Sequence, residues 1–301
     1  MITGLKKRSM LWGGVVAILI AVAVTFLLNQ STPRLAVFWI LGFLFGVILA
    51  RSRFCFVSGF SNLFLFRDGE MFKAIIAGMM VSTLGFAFIM HGWVGDPATG
   101  AIPPGAHVAP FGWYLILAGV IFGFGMVIAG CCITGSLYRT AGGFVHAFIA
   151  LTGVIIGMGA FLFTREAWWS EISKLPRLWL PAYLGWPGSV ITTILILVAA
   201  YLLIVCLQNN NRSKAFINVS PRKDSSDVIL AANRLSTGAR KAFLGNWPVL
   251  AGGVLLGLLN ILCYLLVDRP WGVTGEIQRW AHIIFDFAGF GVPEVVTVPG
   301  T

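Results

Sequence analysis

The stretch GVIFGFGMVIAGCCITG, residues 119–135, decides the fold. Its apolar part runs without a charge to Ala129 and stops at Gly130, after which Cys131 and Cys132 follow. Together with the residues from 112 onward, the run is close to the roughly 20 residues that a helix needs to cross the hydrocarbon core of a bilayer. The stretch therefore predicts a membrane helix that breaks at a pair of thiols.

The composition of the whole chain indicates an integral membrane protein. Of its 301 residues, 58% are hydrophobic and only 11% are charged, whereas soluble domains carry about 25% charged residues. The net charge of +10 raises the alternative of a nucleic-acid-binding protein. However, the basic residues cluster at positions 6–8 and 208–245, where the positive-inside rule expects them. We therefore expect the chain to lie in the lipid bilayer and to bind no nucleic acid.

Seven apolar runs predict an all-α, polytopic fold with about seven membrane-spanning helices. They cover residues 11–28, 35–50, 72–90, 112–129, 143–164, 187–207 and 247–267. Residues 51–66 are apolar but short and are interrupted by Ser58 and Gly59, which predicts a broken or re-entrant helix. Residues 165–186 are aromatic and partly charged, which is typical of the membrane interface.

Charge placement predicts the orientation of these helices. Three basic residues before the first run place the N-terminus in the cytoplasm. The loop after the third run then lies outside and has no Lys or Arg, whereas residues 208–245 lie inside with seven. That segment is interpreted as a cytoplasmic linker, with a binding site for anionic lipid as the alternative.

An internal repeat places the cysteines. The pattern consists of two glycines four residues apart and a cysteine nine residues after the second glycine. It occurs twice, 77 residues apart: at Gly42, Gly46 and Cys55, and again at Gly119, Gly123 and Cys132. The glycines alone are explained by helix packing, because they let a second backbone approach one helix face. The cysteines stand where both apolar helices break. Breaks at corresponding points of two repeats are the sequence signal of a transporter site.

The chemistry at the two breaks favours a soft anion. Main-chain N–H groups and the helix dipole favour negative charge at the start of each half-helix, and thiols add polarisable sulfur. This combination suits a sulfur-containing anion better than sulfate. The residues predicted to line the substrate path are Cys55, Ser58, Gly130, Cys131, Cys132, Thr134 and Gly135.

Other candidate residues are weaker. Arg51 and Arg53 are predicted to attract the anion, with anchoring of the second helix at the cytoplasmic face as the alternative. Cys206 and Cys263 lie in continuous apolar runs and are interpreted as apolar residues of the core or of the lipid-facing surface. The four histidines have no ligand-like spacing, so we predict no metal site and no cofactor.

Two motifs resemble a known family. RFCFVSGFSNLF followed by RDG, and then GFGMVIAGCCITGSLYRTAGG, are similar to the YeeE/YedE family of bacterial inner-membrane sulfur transporters. Residues 40–160 carry the resemblance, and residues 271–291 also resemble family sequence. The resemblance implies uptake of thiosulfate or a related compound, with Cys55 and Cys132 on the path, and a cytoplasmic sulfur carrier of the TusA type as a partner. Family members commonly have glycine at the position of Cys131.

The expected domain organisation has two membrane halves. Residues 1–207 form the first half, with repeats at 42–59 and 119–136. Residues 208–245 form the linker, and residues 246–301 begin a second half. The resemblance implies a further motif cysteine in the other half, which this sequence does not show, and VPEVVTVPGT resembles the middle of a loop. We therefore expect a C-terminally truncated chain, with a naturally shorter or dimerising member as the alternative.

Transport is the favoured function, and no catalytic residue is predicted. One alternative is a membrane sulfurtransferase with a persulfide on Cys132, which requires a cation or a helix N-terminus to activate the thiol. Arg139 and His146 are the nearest candidates, and the sequence places neither of them beside Cys132. Transport of selenium compounds is a second alternative, and a purely structural protein is a third. The spans contain essentially no carboxylates, so ion coupling gains no support.

Overall fold

The computed structural model describes residues 33–99, 108–209 and 247–290, with a few further residues in 21–27 and 102–106. Within these residues the chain is helical and forms no named strand, which confirms the all-α prediction. The helices of the described residues are α1 Pro33–Ser52, α2 Phe56–Ser61, α3 Glu70–Trp93, α4 Tyr114–Ala129, α5 Ile133–Ala141, α6 Val145–Ile172, α7 Leu180–Asn209, α8 Val249–Val267 and α9 Thr274–Phe287. A π-helical turn, Asn62–Phe66, follows α2.

Six segments of the described chain are long and apolar enough to cross a membrane. They are Arg34–Phe66, Glu70–Trp93, Tyr114–Ala141, Val145–Ile172, Leu180–Gln208 and Val249–Val267. Six of the seven predicted runs are thus found, and the first, residues 11–28, lies largely outside the described residues. Most of the predicted linker, residues 210–245, and the C-terminal residues 291–301 also lie outside them.

Large apolar side chains cover the outside of these helices. In α4, Val120, Phe124 and Val127 are 67%, 70% and 77% exposed. Such a surface would be costly in water over this extent, but lipid tails are as apolar as leucine. The exposure pattern therefore agrees with a multi-pass membrane protein.

The chain divides into two compact units, Met1–Val47 and Ile48–Thr301. Helix α1 begins in the first unit and ends in the second. Both cysteine breaks, and all the packing described below, belong to the second unit.

Helices α3 and α8 cross with their backbones in contact. A Cβ atom on Gly253 would lie 2.2 Å from the carbonyl oxygen of Ala74, and one on Gly78 would lie 2.5 Å from the carbonyl oxygen of Gly253. Only glycine permits so close an approach at these positions. The segment predicted to begin a second half therefore packs directly on α3, while the division into two halves stays a prediction.

Two boundaries differ from those expected from the sequence. Helix α6 continues to Ile172 instead of ending near residue 164, because no proline or glycine stands before Pro176 to end it. Helix α7 begins at Leu180 and bends at Gly185, whose φ of 70° is not helical and which lies two residues before Pro187. Part of the predicted interfacial segment is thus helical.

Candidate functional site

The backbone follows the same path at the two helix breaks that precede Cys55 and Cys132. Arg53, with φ 49°, follows α1, and Gly130, with φ 64°, follows α4; a left-handed residue of this kind ends a helix. Cys55 (φ −145°, ψ 123°) and Cys132 (φ −79°, ψ 171°) are then extended and begin α2 and α5. The sequence repeat is therefore also a repeat of backbone geometry.

The thiols of the two repeats meet at Gly135. A Cβ atom on Gly135 would lie 3.1 Å from Sγ of Cys55 and 3.4 Å from Sγ of Cys132, and the two thiols interact directly with each other. Cys55 is fully buried and Cys132 is half-buried. Both are free cysteines. The fold thus brings together two thiols that lie 77 residues apart in sequence.

Main-chain amides surround both sulfur atoms. The N–H of Gly135 donates to Sγ of Cys132 over 3.3 Å. The amide of Phe56 also faces the Cys132 thiol, and the amide of Cys132 faces the Cys55 thiol. Ser58 interacts with the Cys55 thiol through both its backbone and its side chain. Each sulfur therefore lies among the donors at the starts of two short helices.

Cys131 belongs to a different hydrogen-bond network. Its Sγ lies 3.1 Å from Oγ of Ser136 and 3.4 Å from the carbonyl oxygen of Ala129. The Ser136 hydroxyl donates to the carbonyl of Cys132 over 3.1 Å, and Ser136 is only 2% exposed. Cys131 and Ser136 therefore hold the turn that carries Cys132. Sequence analysis did not single out Ser136, although it stands one helical turn after Cys132.

The remaining predicted path residues lie beside the thiols. Gly130 forms the break itself, and Thr134 is half-buried in the first turn of α5. No hydrogen bond within the described residues joins the Thr134 hydroxyl to a thiol. The apolar side chains of Val57 and Met126 pack against Cys55 and Cys131, so one side of the site is apolar.

The two predicted arginines are not brought to the thiols by any contact within the described residues. Arg53 is exposed and forms the left-handed turn after α1. The carbonyl of Arg51 accepts a hydrogen bond from the N–H of Trp247 over 3.2 Å. Their role in attracting the anion stays a prediction. Arg139 also lies within electrostatic range of Cys55 and Cys131.

The groups at this site are mainly donors. Thiols, main-chain amides and a guanidinium all present hydrogen to a ligand. Within the part of the chain that the structure describes, no group of three or more His, Cys, Asp or Glu residues has the geometry to hold a metal ion. The arrangement therefore suits an anion with a soft atom.

Comparison with known proteins identifies the family. The sequence profile of the family described as "Sulphur transport" matches residues 51–298, more than half of the chain and both cysteines of the repeat. The chain belongs to this family. The predicted resemblance to the YeeE/YedE sulfur transporters is thereby confirmed.

Several proteins similar to this chain carry transporter names. The probable transporter YedE of Escherichia coli strain K12 is 31% identical over 190 residues, which are 58% of this chain and 42% of the relative. The thiosulfate transporter TsuA of the same strain is 36% identical over 114 residues, 37% of this chain and 30% of the relative. TsuA of Spirochaeta thermophila is 33% identical over 132 residues, 43% of this chain and 37% of the relative. The match spans less than half of each relative.

Proposed function

We propose that this chain acts in membrane transport of thiosulfate or a closely related sulfur-containing anion, which passes along the thiols of Cys55 and Cys132. The observation that carries the proposal is the meeting of these two thiols at Gly135. Relatives named thiosulfate transporter support the substrate class.

The mechanism is a short series of weak contacts. Thiosulfate carries a soft terminal sulfur, to which an S–H group donates a weak hydrogen bond. The half-buried Cys132 meets the anion first, and the buried Cys55 receives it next. Amides at the starts of α2 and α5 offset its negative charge. Weak and successive sites suit transport because the substrate must leave each of them.

The proposed setting is the bacterial inner membrane with the N-terminus in the cytoplasm. The basic residues at positions 6–8 and 208–245 support this orientation. Delivery of sulfur to a cytoplasmic carrier of the TusA type follows from the family resemblance. Selenium analogues of the same anion are an alternative substrate, since selenium is likewise soft.

A membrane sulfurtransferase is the second candidate, favoured by the amides of Phe56 and Gly135 that face the Cys132 sulfur. In that reaction the Cys132 thiolate attacks the terminal sulfur of thiosulfate. The S–S bond of thiosulfate breaks, sulfite leaves with the electron pair, and Cys132 retains a persulfide. A mass increase of one sulfur atom on Cys132 after exposure to thiosulfate would support this candidate.

Uptake of sulfur-labelled thiosulfate tests the proposal. The full gene, Cys55→Ser, Cys132→Ser and the control Cys206→Ser are expressed at matched levels in cells that lack other uptake routes. Cys206 is exposed on α7, so its variant should transport like wild type. Both path variants should fall to background. Wild-type uptake by Cys55→Ser and Cys132→Ser would rule out the proposed path.

A further inference from the structure

Arg139 stands on the same face of α5 as the site. Residues three and four apart share a helix face, which aligns Arg139 with Ser136 and, one turn earlier, with Cys132. Helical side chains lean toward the helix N-terminus. In agreement, Nη1 of Arg139 donates to the carbonyl of Gly130 over 3.3 Å. The guanidinium therefore lies beside the peptide that immediately precedes Cys131.

The charge of Arg139 has no carboxylate partner within the described residues. The ion pairs of α6 to α9 involve other residues, Lys174 with Glu171 and Glu276 with Arg269 and Arg279. The electrostatic neighbours of Arg139 are instead Tyr138, Cys55 and Cys131. A cation in a span of apolar composition is a functional candidate. The side chain of Arg139 contacts Tyr138 and the Gly130 carbonyl, and the thiols of Cys55 and Cys131 lie within its electrostatic range.

We propose that Arg139 binds the oxygen-bearing end of the transported anion while the Cys132 and Cys55 thiols contact its soft sulfur end. The inference rests on the proposed function and names its substrate class: a small anion with one oxyanion end and one soft end. The planar guanidinium fork suits the oxyanion end, since it can donate two parallel hydrogen bonds. Sulfate lacks the soft end, and sulfide lacks the oxyanion end.

Two other roles for Arg139 predict different behaviour. As a structural cap of the Gly130 carbonyl, it would act through hydrogen-bond geometry and would not change the affinity for anions. As a site for a lipid headgroup, it would prefer a phosphate to thiosulfate. The substitution Arg139→Lys keeps the charge, whereas Arg139→Gln removes it and keeps donor capacity.

Protection of Cys132 from a maleimide reagent measures anion binding without transport. The full chain carrying Cys206→Ser, which removes an exposed thiol, is purified in detergent. The labelling rate of Cys132 is followed by mass spectrometry at rising thiosulfate and constant ionic strength. We expect thiosulfate to slow labelling. The half-protecting concentration is the thiosulfate concentration that halves the labelling rate. In Arg139→Gln it should rise about tenfold to a hundredfold, which is the effect of losing a charge-assisted hydrogen bond. Arg139→Lys keeps the charge but loses the planar fork, so its half-protecting concentration should lie between those of wild type and Arg139→Gln.

Several outcomes would overturn the inference. They are no protection in wild type, an equal half-protecting concentration in Arg139→Gln, equal losses in the Lys and Gln variants, or protection by glycerol phosphate as strong as by thiosulfate. The control Arg279→Gln, on the exposed side of α9, should behave like wild type.

The uptake assay separates the two proposals. If thiosulfate protects Cys132 in a way that depends on Arg139 but the protein takes up no thiosulfate, the role of Arg139 stands and the transport proposal fails. If uptake depends on the two cysteines but Arg139→Gln is protected like wild type, the transport proposal stands and the role of Arg139 fails.

Discussion

Arg53 and Gly130 occupy the same position of the two repeats, 77 residues apart, and both adopt a left-handed backbone with φ of 49° and 64°. In each repeat this residue turns the chain out of one helix, two residues before the cysteine that begins the next. Glycine adopts this conformation freely, whereas other residues pay about 1–2 kcal/mol for it. The shape of the break is therefore shared although the residue type differs.

Gly130→Ala tests the backbone requirement at the second break. A Cβ atom there meets nothing within 4 Å, so its cost is backbone strain of about 1–2 kcal/mol and not a clash. We expect a lower Tm in detergent. The matched control is Gly157→Ala in the middle of α6, where a Cβ atom also meets open space and alanine gains helix propensity. A Tm for Gly130→Ala that equals or exceeds that of the control would contradict the assigned strain.

Gly135→Ala tests the space between the thiols. The added methyl would lie 3.1 Å from Sγ of Cys55 and 3.4 Å from Sγ of Cys132, so at least one thiol must move. We expect thiosulfate uptake to fall severalfold at unchanged membrane level. Alanine is the better helix former by about 1 kcal/mol, so the loss cannot come from a weakened α5. Uptake equal to that of Gly157→Ala would show that the gap between the thiols does not matter.

Cys131→Ser separates the two adjacent cysteines. The Cys131 thiol is engaged by the Ser136 hydroxyl and the Ala129 carbonyl, and a serine hydroxyl can make the same contacts. Uptake by this variant should stay close to wild type, in contrast to Cys132→Ser. The comparison is made by initial uptake rates in the same cells. If Cys131→Ser lost uptake as completely as Cys132→Ser, Cys131 would belong to the path itself.

Gly253→Ala tests the crossing of α3 and α8. A Cβ atom on Gly253 would approach the Ala74 carbonyl to 2.2 Å, and the obstacle is backbone, which cannot rotate away. Overpacking typically costs about 1–3 kcal/mol, and we expect at least the upper end. Size-exclusion profiles and Tm in detergent should show a destabilised protein, while Gly123→Ala, with open space at its Cβ, should not. Equal profiles would mean that the helices do not cross so closely.

Local sequence patterns predicted most of the fold. Apolar runs located six spans because lipid imposes a composition that length and hydropathy reveal directly. The repeat of glycine and cysteine located both breaks because each depends on a few neighbouring residues. The extension of α6 to Ile172 was missed since Trp and charged residues suggested an interface. Helix α9 was noted only as family-like sequence.

Long-range relations were not visible in one sequence. The contact of Gly253 with Ala74 joins residues that nothing in the local pattern relates. Arg51 and Arg53 were selected because they are near Cys55 in sequence, and their role stays a prediction. Arg139 is brought back to Gly130 by the direction of a helical side chain, which the sequence alone did not show. The spacing of four and seven residues after Cys132 could have indicated Ser136 and Arg139, had α5 been recognised as a helix.

The most direct test of the central claim is to join Cys55 and Cys132 and measure uptake. In a chain carrying Cys131→Ser and Cys206→Ser, copper phenanthroline removes two electrons and two protons from the thiol pair to form a disulfide, which mass spectrometry detects. We predict that the Cys55–Cys132 bridge forms, that thiosulfate uptake stops, and that dithiothreitol restores it. Failure of the bridge to form, or uptake that continues at the wild-type rate through the bridged protein, would contradict a path that runs between these two thiols.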